Sequence, residues 1–259
     1  MRLFISFVCA FVLSAFLPGS SAWAAGTPEF EAWKQQGDSA YLQKNYPQAV
    51  AAYRQYLKHN ARNAAVYYNL GNCYYRLQDY PRAVLNYERA LRFSPGDADA
   101  RFNLQLVRTK LEDQFGTKNE MFFVRWMDAW MNLHGADGWA KWGIGLFVAA
   151  LALFLGYLFL RPVLWRKLTF FSSLVLFAFV VLANVFAAVQ SARTEEPGRA
   201  VVMRAQPMRP SPSASARKVV DLHQGTAVDV EDTSVKGWVQ VALSDGRVGW
   251  VEAAGLEFV

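Results

Sequence analysis

Two long segments without a charged residue, residues 143–160 and 168–189, constrain this chain more than any other feature. A helix of about 20 mainly apolar residues is long enough to cross the ~30 Å hydrocarbon core of a bilayer. Trp139 and Trp142, just before the first segment, are typical of a membrane–water interface. The sequence therefore predicts two transmembrane helices, over residues 140–160 and 168–189.

The connection between these segments, residues 161–167, indicates the orientation of the chain. It carries positive charges at Arg161, Arg166 and Lys167, and Pro162 would break a helix that continued from the first segment. Short loops rich in Lys and Arg stay in the cytoplasm. We therefore expect a tight cytoplasmic turn, with the parts of the chain before and after the hairpin outside the cytoplasm.

The first residues also indicate export. Residues 1–24 combine a basic Arg2, an apolar run and a small-residue end, which together are typical of a secretory signal peptide that is cleaved after Ala24. An uncleaved anchor helix is the alternative, and both forms deliver the next segment outside the cytoplasm. Cys73 would be the one cysteine of a mature chain, so no internal disulfide is expected.

The net charge and the motif content exclude several classes of function. The formal net charge is +6, but the basic residues are scattered rather than arranged in a stripe, so nucleic acid is not an expected partner. We expect the positive charge to face anionic membrane lipid or the cell wall instead. The three histidines lie in different segments, and no phosphate loop or nucleophile motif is present. We expect no enzyme, catalytic residue, metal or cofactor; a subunit of an enzyme whose catalytic residues lie in another chain stays open.

Residues 27–115 contain an internal repeat with a period of 34 residues. Gly37 and Gly71 are one identical pair at this spacing, and Tyr53 and Tyr87 are another. This is the period of tetratricopeptide repeats, in which each repeat is a pair of antiparallel helices. The second copy resembles that family at its signature positions: Tyr67, Leu70, Gly71, Tyr74, Ala83, Tyr87, Ala90 and Pro95.

This resemblance implies an all-α domain with repeats at about residues 30–63 and 64–97. Small residues at the helix crossings let the helices approach closely, and aromatic residues fill the space between them. Residues 97–112 have apolar side chains at helical spacing and are predicted to cap the stack. Cys73 lies where a small residue packs between helices, so we expect a buried, inert thiol, with a redox sensor as the alternative.

In tetratricopeptide domains the first helix of each repeat faces a concave groove. Capture of a peptide C-terminus, as in the carboxylate-clamp members, is not expected, because Asp38, Asp99 and Asn103 depart from the clamp pattern that Lys34 and Asn69 would match. The alternative to a binding groove is a plain solvated face. Carrying the family register over to this chain gives a mixed aromatic and polar groove suited to a peptide or partner helix: Lys34, Asp38, Tyr41, Tyr68, Asn72, Tyr75, Phe102 and Leu106.

Residues 120–134, just before the first apolar segment, are predicted to form an amphipathic helix. Its apolar stripe includes Phe123, Trp126 and Trp130, and Arg125 lies off that stripe. Aromatic residues on such a helix suit the bilayer interface, so we expect it to rest on the outer leaflet. The alternative is that it packs on the repeat domain as ordinary core.

Residues 199–259 change to a periodicity of two, which is typical of strands, and predict a small all-β barrel. Four motifs, at residues 201–209, 219–226, 237–241 and 245–251, are followed by Gly255 and Leu256. Their order resembles the bacterial SH3 family, whose domains often bind cell-wall peptides or proteins. Trp238 and Arg209 are the candidate ligand surface, and the Pro- and Ser-rich residues 207–215 are either a binding lip or an idle loop. Trp250 is expected in the core. Five strands are predicted, at residues 200–203, 218–222, 227–231, 238–243 and 246–251.

The whole order of elements resembles the BatE-type proteins of the Bacteroides aerotolerance operon. It comprises a signal peptide, an all-α tetratricopeptide domain, an amphipathic helix, a two-helix transmembrane hairpin and an SH3-like barrel. The resemblance implies a bacterial inner-membrane protein with periplasmic domains, working beside von Willebrand A-domain membrane proteins and a MoxR-type ATPase in oxidative or envelope stress. We therefore expect an anchored adapter whose groove binds a protein. The rival hypothesis is a sensor that binds peptidoglycan through the SH3-like domain.

Overall fold

The computed structural model describes residues 28–116, 121–195 and 198–259, so the predicted signal peptide lies outside the described residues. The described part of the chain contains a stack of five helices, a short separate helix, a long helical hairpin and a C-terminal β domain. The helices are α1 (Pro28–Leu42), α2 (Tyr46–His59), α3 (Ala64–Arg76), α4 (Tyr80–Phe93), α5 (Ala98–Arg108), α6 (Phe122–Met131), α7 (Ala136–Phe159) and α8 (Val163–Glu195).

Each helix from α2 to α5 begins with a capping side chain. Asn45, Asn63, Asp79 and Asp97 each accept a hydrogen bond from the backbone N–H three residues later, which satisfies a donor that the first helical turn leaves unpaired. Proline in the first turn of α2 and of α4 has no N–H to lose there. The helix boundaries therefore follow local signals in the sequence.

The packing inside each repeat depends on a glycine and a tyrosine. A Cβ atom added at Gly71 would lie 2.7 Å from Cε1 of Tyr87, and Tyr53 closes on Gly37 in the same way. Both tyrosines are buried, so neither ring can easily move aside. Cys73 is also fully buried, and burial raises the pKa of its thiol to about 12.

Helix α5 occupies the place predicted for the capping helix, although it ends at Arg108 instead of continuing to residue 112. Its buried face, Ala100, Leu104 and Val107, packs against the last repeat. Beyond α5, Leu111 and Asp113 lie against the C-terminal β domain, at Gly225 and His223.

The hairpin consists of two helices, α7 of 24 residues and α8 of 33 residues, which are long and apolar enough to cross a membrane by length and composition. The turn between them is shorter than the predicted residues 161–167. The turn covers only residues 160–162. Pro162 lies directly before α8, and its carbonyl accepts the first hydrogen bond of that helix, from the backbone N–H of Arg166. Arg166 and Lys167 therefore lie in the first turns of α8.

Helix α6 lies across the end of the hairpin that is remote from this turn. Gln190 of α8 donates to the main-chain oxygen of Met131 at 2.9 Å, and Arg193 pairs with Asp128 at 3.1 Å. Most of the large apolar side chains of α6 are exposed, with Phe122 at 80% and Trp126 at 56%, while Met131 is buried. Helix α6 is therefore not ordinary core of the repeat domain.

The C-terminal domain differs from the predicted five-stranded closed barrel. Its strands are β1 (Arg199–Val202), β2 (Gln206–Met208), β3 (Val220–Leu222), β4 (Ala227–Asp232), β5 (Trp238–Ala242), β6 (Val248–Glu252) and β7 (Leu256–Phe258). Strands β1 and β4–β7 form an open sheet in the order β6-β5-β4-β1-β7, while β2 and β3 form a separate two-stranded sheet joined to it by the bridge between Arg209 and Trp250. The short strands β2 and β7 were not predicted.

Alternation along β6 explains why Trp250 is not the core residue that was expected. Gly249 and Val251 face inward and are buried, so Trp250 between them points to the other face and is only half-buried. A Cβ atom at Gly249 would lie 2.6 Å from Cγ of Met208. The glycine therefore lets β2 lie close against β6.

The helical repeat and the β domain share one packed interface. Val201 of β1 and Val259 are buried in the same apolar cluster as the residues of the helical stack. Beside them the carboxylate of Glu88, on α4, is only 4% exposed and lies between Arg108 at 2.6 Å and Arg199 at 3.0 Å. One buried carboxylate thus joins α4, α5 and β1, and its charge raises the pKa of the Arg199 guanidinium.

A second polar cluster joins the chain after α5 to the loop between β3 and β4. One oxygen of Asp113 accepts hydrogen bonds from the His223 amide at 2.8 Å and from the Thr226 hydroxyl at 2.5 Å, and the other lies 2.6 Å from His223 Nδ1. Burial opposes ionisation of Asp113, but these hydrogen bonds outweigh it and lower its pKa. The hydrogen bond to Asp113 and the nearby charges of Glu112 and Asp221 raise the pKa of His223.

We expect Glu88→Gln to loosen this interface, because it removes the charge that both arginines face. Both arginine side chains are about half exposed, so water limits the loss to about 2 kcal/mol of unfolding free energy. Urea unfolding of the purified full-length protein in neutral detergent measures it. Glu112→Gln is the matched control, since its side chain is 72% exposed and pairs with His223 at the same junction. Equal effects of the two substitutions would contradict a special role for Glu88.

The cluster at Asp113 predicts a pH window for the interface. The lowered pKa of Asp113 stabilises the fold above the ordinary carboxyl range, and this contribution is lost as the pH falls through the folded-state pKa. The raised pKa of His223 stabilises the fold below about pH 6.5, and this contribution is lost as the pH rises through the folded-state pKa. We therefore expect the slowest hydrogen exchange of the His223 amide between about pH 4 and 6.5, after correction for intrinsic exchange. In Asp113→Asn the window should disappear; its persistence would show that other groups cause it.

Candidate functional site

The predicted groove residues all lie on the first helices of the repeats and on the capping helix. Lys34, Asp38 and Tyr41 are on α1, and Tyr68, Asn72 and Tyr75 are on α3. These six are half-buried, whereas Phe102 on α5 is 64% exposed. The structure thus presents a row of partly covered polar and aromatic side chains that ends at an open phenyl ring.

Asp38 is held in place by three neighbours. Its Oδ1 accepts a hydrogen bond from the hydroxyl of Tyr53 at 2.6 Å and one from Asn69 at 3.4 Å, and its Oδ2 pairs with Lys34 at 3.2 Å. Tyr53 lies in the core of the first repeat, and Asn69 belongs to the second. The carboxylate is therefore oriented from below by the core and from the side by the next repeat.

Asn72 is held in the same way one repeat later. Its Oδ1 accepts hydrogen bonds from the hydroxyl of Tyr87 at 2.6 Å and from Asn103 at 3.0 Å, and Asn103 also donates to the hydroxyl of Tyr68 at 3.1 Å. Burial is the main cause of the raised pKa of Tyr87, so its hydroxyl stays protonated and can donate. The same arrangement of hydrogen bonds, from a tyrosine hydroxyl and an asparagine amide, therefore occurs in both repeats beneath the groove.

The two clusters are related by the repeat period itself. Asp38 and Asn72, Tyr53 and Tyr87, and Asn69 and Asn103 are each 34 residues apart. Sequence reasoning assigned the two tyrosines to the core and missed that their hydroxyls position the groove. The signal that could have found this network is the joint 34-residue spacing of all three pairs.

The aromatic members of the groove also follow the period. The ring of Tyr41 packs edge-on against Tyr46 at 5.5 Å, and the ring of Tyr75 packs against Tyr80 at 6.0 Å. Each contact joins the end of a first helix to the start of the second helix. One side of the Tyr41 and Tyr75 rings is therefore packed, while the other is partly exposed and suits contact with an apolar side chain of a ligand.

The candidate ligand surface on the β domain is less complete. Trp238 opens β5 directly after Gly237, whose φ of 83° places it in the left-handed region. Arg209 follows β2, and its guanidinium donates to the main-chain oxygen of Ala216 in the loop that the Pro- and Ser-rich segment forms. The guanidinium of Arg209 is therefore partly engaged by its own loop.

A residue that the sequence reasoning assigned elsewhere completes this surface. Trp238 is paired with Glu252 and Gln240 with Trp250, so the two tryptophans are diagonal neighbours on one face of the sheet. Both are half-buried, and the bridge to Arg209 starts at Trp250. Trp250 is thus a candidate surface residue instead of a core residue.

The Cys73 thiol and the side chains that could bind a metal ion were predicted to be inert and to form no metal site. Cys73 is buried with a raised pKa, which favours the inert thiol. No group of three His, Cys, Asp or Glu side chains within the described ranges is placed to hold a metal ion.

Comparison with known protein families identifies two domains. The tetratricopeptide repeat family matches residues 34–98, and a family described as the bacterial dipeptidyl-peptidase SH3 domain matches residues 208–256. The predictions of a tetratricopeptide domain and of a bacterial SH3 domain are confirmed. No curated protein matches the chain in a sequence comparison.

Solved structures also match the chain. One is the TPR2B-domain:pHsp70 complex of yeast Sti1, with 21% identity and a TM-score of 0.30. The match covers 31% of this chain and 65% of that chain.

We expect Tyr87→Phe to lower the unfolding free energy by about 1 kcal/mol, because it leaves Asn72 without one buried hydrogen bond. Tyr46→Phe makes the same chemical change where the hydroxyl has no hydrogen bond among the described residues, and it should change stability by less than about 0.5 kcal/mol. The urea midpoint of the full-length protein in detergent distinguishes the two. A larger effect at Tyr46 would contradict the assignment of the network.

Proposed function

We propose that this protein is a membrane-anchored adapter whose tetratricopeptide groove binds a segment of a partner protein. The observation that carries the proposal is the duplicated network beneath the groove. Buried tyrosine hydroxyls hold Asp38 and Asn72, so the polar groups that face a ligand are already oriented before binding. Because of this preorganisation, the groove side chains lose less conformational entropy when a ligand binds.

The chemistry of the groove supports a peptide or a helix that carries both polar and apolar side chains. Lys34 and Asp38 neutralise each other, so the groove does not select strongly for either sign of charge. The rings of Tyr41, Tyr75 and Phe102 offer apolar contact. We expect Lys34, Tyr41, Tyr68, Asn72 and Tyr75 to contact the partner, with Phe102 at one end.

The hairpin supports the anchoring part of the proposal. Most of its apolar side chains are exposed, and a soluble protein would not leave two such helices bare. With the turn in the cytoplasm, the repeat and the SH3-like domain would both face the periplasm of a bacterial inner membrane. The resemblance to the BatE-type proteins supports a finer proposal: a partner among von Willebrand A-domain membrane proteins, in an aerotolerance or envelope-stress complex.

A second candidate function is cell-wall binding through the SH3-like domain. The match to a bacterial SH3 family and the half-buried pair of Trp238 and Trp250 on one face of the sheet favour it. In that case peptidoglycan would be the ligand, and the repeat domain would only support the β domain. The packed interface between the two domains is compatible with both candidates.

Phe102→Ala should weaken the partner complex about tenfold or more without unfolding the protein, because the ring is exposed and a contact residue of this size can be a hot spot. Mass spectrometry of the partners that co-purify with the detergent-solubilised full-length protein measures this loss of binding. Tyr68→Ala combined with Tyr75→Ala should remove the same partners.

Trp238→Ala is the matched control, since it removes an aromatic side chain from the other candidate surface. Under the adapter proposal it leaves partner recovery unchanged, and the full-length protein is not retained on purified sacculi. Retention on sacculi that Trp238→Ala abolishes, together with partner recovery that Phe102→Ala leaves intact, would replace the adapter proposal with the cell-wall alternative.

A further inference from the structure

Helix α6 presents an apolar face that the described parts of the chain leave exposed. Phe122, Phe123, Trp126 and Trp130 are its exposed aromatic side chains, and the rings of the two tryptophans lie 5.0 Å apart. Phe122, Trp126 and Trp130 follow one another at intervals of four residues, which places them on one side of the helix. A concentrated apolar face of this kind marks a site of contact with another protein or with a membrane.

Another side of α6 is fixed to both helices of the hairpin. The main-chain oxygen of Met131 accepts a hydrogen bond from the indole N–H of Trp139 on α7 at 2.8 Å and one from the side-chain amide of Gln190 on α8 at 2.9 Å. Asp128 pairs with Arg193 of α8, so the one acidic charge of α6 is compensated on this side. The position of α6 relative to the hairpin is therefore well defined.

These contacts place α6 at one end of the two charge-free segments. Trp139 lies shortly before the first of them, residues 143–160, and Gln190 directly follows the second, residues 168–189. With both segments across a bilayer, the last turn of α6 lies where hydrocarbon gives way to head groups. Tryptophan is enriched at this level of membrane proteins.

The exposed apolar surface is continuous from α6 to α7. Leu133, in the turn after α6, and Trp142, near the start of α7, are both exposed. His134 joins them, since its Nε2 accepts a hydrogen bond from the indole N–H of Trp142 at 3.1 Å. A soluble partner of α6 would therefore lie against the bilayer as well, whereas the bilayer itself covers both surfaces.

We propose, as an inference that rests on the proposed membrane anchor, that α6 lies in the membrane–water interface with Phe122, Trp126 and Trp130 inserted among the lipids. Aromatic side chains favour this zone because their rings leave water while polar groups remain within reach of the indole N–H. Arg125 is the other charged residue of α6, and its long side chain can extend to the head groups. The partner is the bilayer, and insertion does not require anionic lipid.

The interfacial position also holds the repeat domain close to the membrane. Gly96, in the loop after α4, leaves no room for a Cβ atom beside the main-chain oxygen of Leu133. A Cβ atom added at Gly135 would lie 3.3 Å from the main-chain oxygen of Phe93. The loop after α4 and the turn after α6 are therefore in direct contact, so α6 fixes the distance between the helical repeat and the bilayer.

Spin labels on single cysteines test the proposal in the full-length protein, reconstituted in vesicles of dioleoyl phosphatidylcholine, with Cys9 and Cys73 replaced by alanine. Collisions of a label with oxygen, which concentrates in lipid, are compared with collisions with a water-soluble nickel complex. Phe122→Cys samples α6, Phe171→Cys samples α8 within the predicted span, and Phe102→Cys samples the groove. All three phenylalanines are exposed, so each label replaces a side chain that packs little.

We expect the ratio of oxygen to nickel collisions at Phe122 to approach the ratio at Phe171 and to exceed the ratio at Phe102 severalfold. A label in water at position 122, with a label in lipid at position 171, would overturn the interfacial position of α6 and leave the membrane anchor intact. A label at position 122 that meets neither reagent would show that protein covers the face, which also overturns the proposal. A label in water at position 171 would overturn the membrane anchor together with it.

Tryptophan quenching by brominated phosphatidylcholine is a second measurement, which needs no cysteine variants. Trp126→Phe combined with Trp130→Phe removes two of the nine tryptophans and should lower the quenched fraction of the fluorescence. Trp238→Phe combined with Trp250→Phe is the matched control, because it removes two tryptophans from the β domain, and it should raise the quenched fraction. A quenched fraction that rises in both variants would place Trp126 and Trp130 in water and contradict the proposal.

Discussion

The buried carboxylate of Glu88 is the interaction on which the arrangement of the domains depends. A carboxylate that is 4% exposed is stable only when its charge is compensated, and Arg108 and Arg199 compensate it from two different parts of the chain. Val201 and Val259 seal the apolar side of the same contact. Because Arg199 starts β1 directly after the hairpin, this contact brings the β domain back onto the helical repeat that precedes the hairpin. The result is one body on one side of the two apolar helices.

The groove and the junction use different surfaces of the same stack. First helices carry the groove, while α4 and the segment after α5 carry the contacts to the β domain. A partner can therefore bind the groove without competing with the β domain. The 34-residue period has a chemical meaning beyond packing, since each repeat supplies a buried tyrosine hydroxyl that orients the polar residue of its groove.

Local signals in the sequence predicted the local structure well. The repeat period predicted both helix pairs, and the apolar segments predicted the hairpin. The three-residue strands β2 and β7 were missed because they are too short to display alternation. The length of the turn between α7 and α8 was overestimated because its charged residues, Arg161 to Lys167, were taken as its limits. Trp250 was misplaced because aromatic character in a strand does not show which face is inward. Contacts between residues more than 100 positions apart, such as Arg199 with Glu88 and His223 with Asp113, leave no pattern in a single sequence.

The most direct test of the adapter account is photocrosslinking in cells that express the full-length protein. A benzophenone amino acid in place of Phe102 would sample the groove, and the same amino acid in place of Trp238 would sample the surface of the β domain. The account predicts a discrete crosslinked protein from position 102 that disappears when Tyr68 and Tyr75 are replaced by alanine. Adducts to cell-wall material from position 238, with no crosslinked protein from position 102, would contradict it.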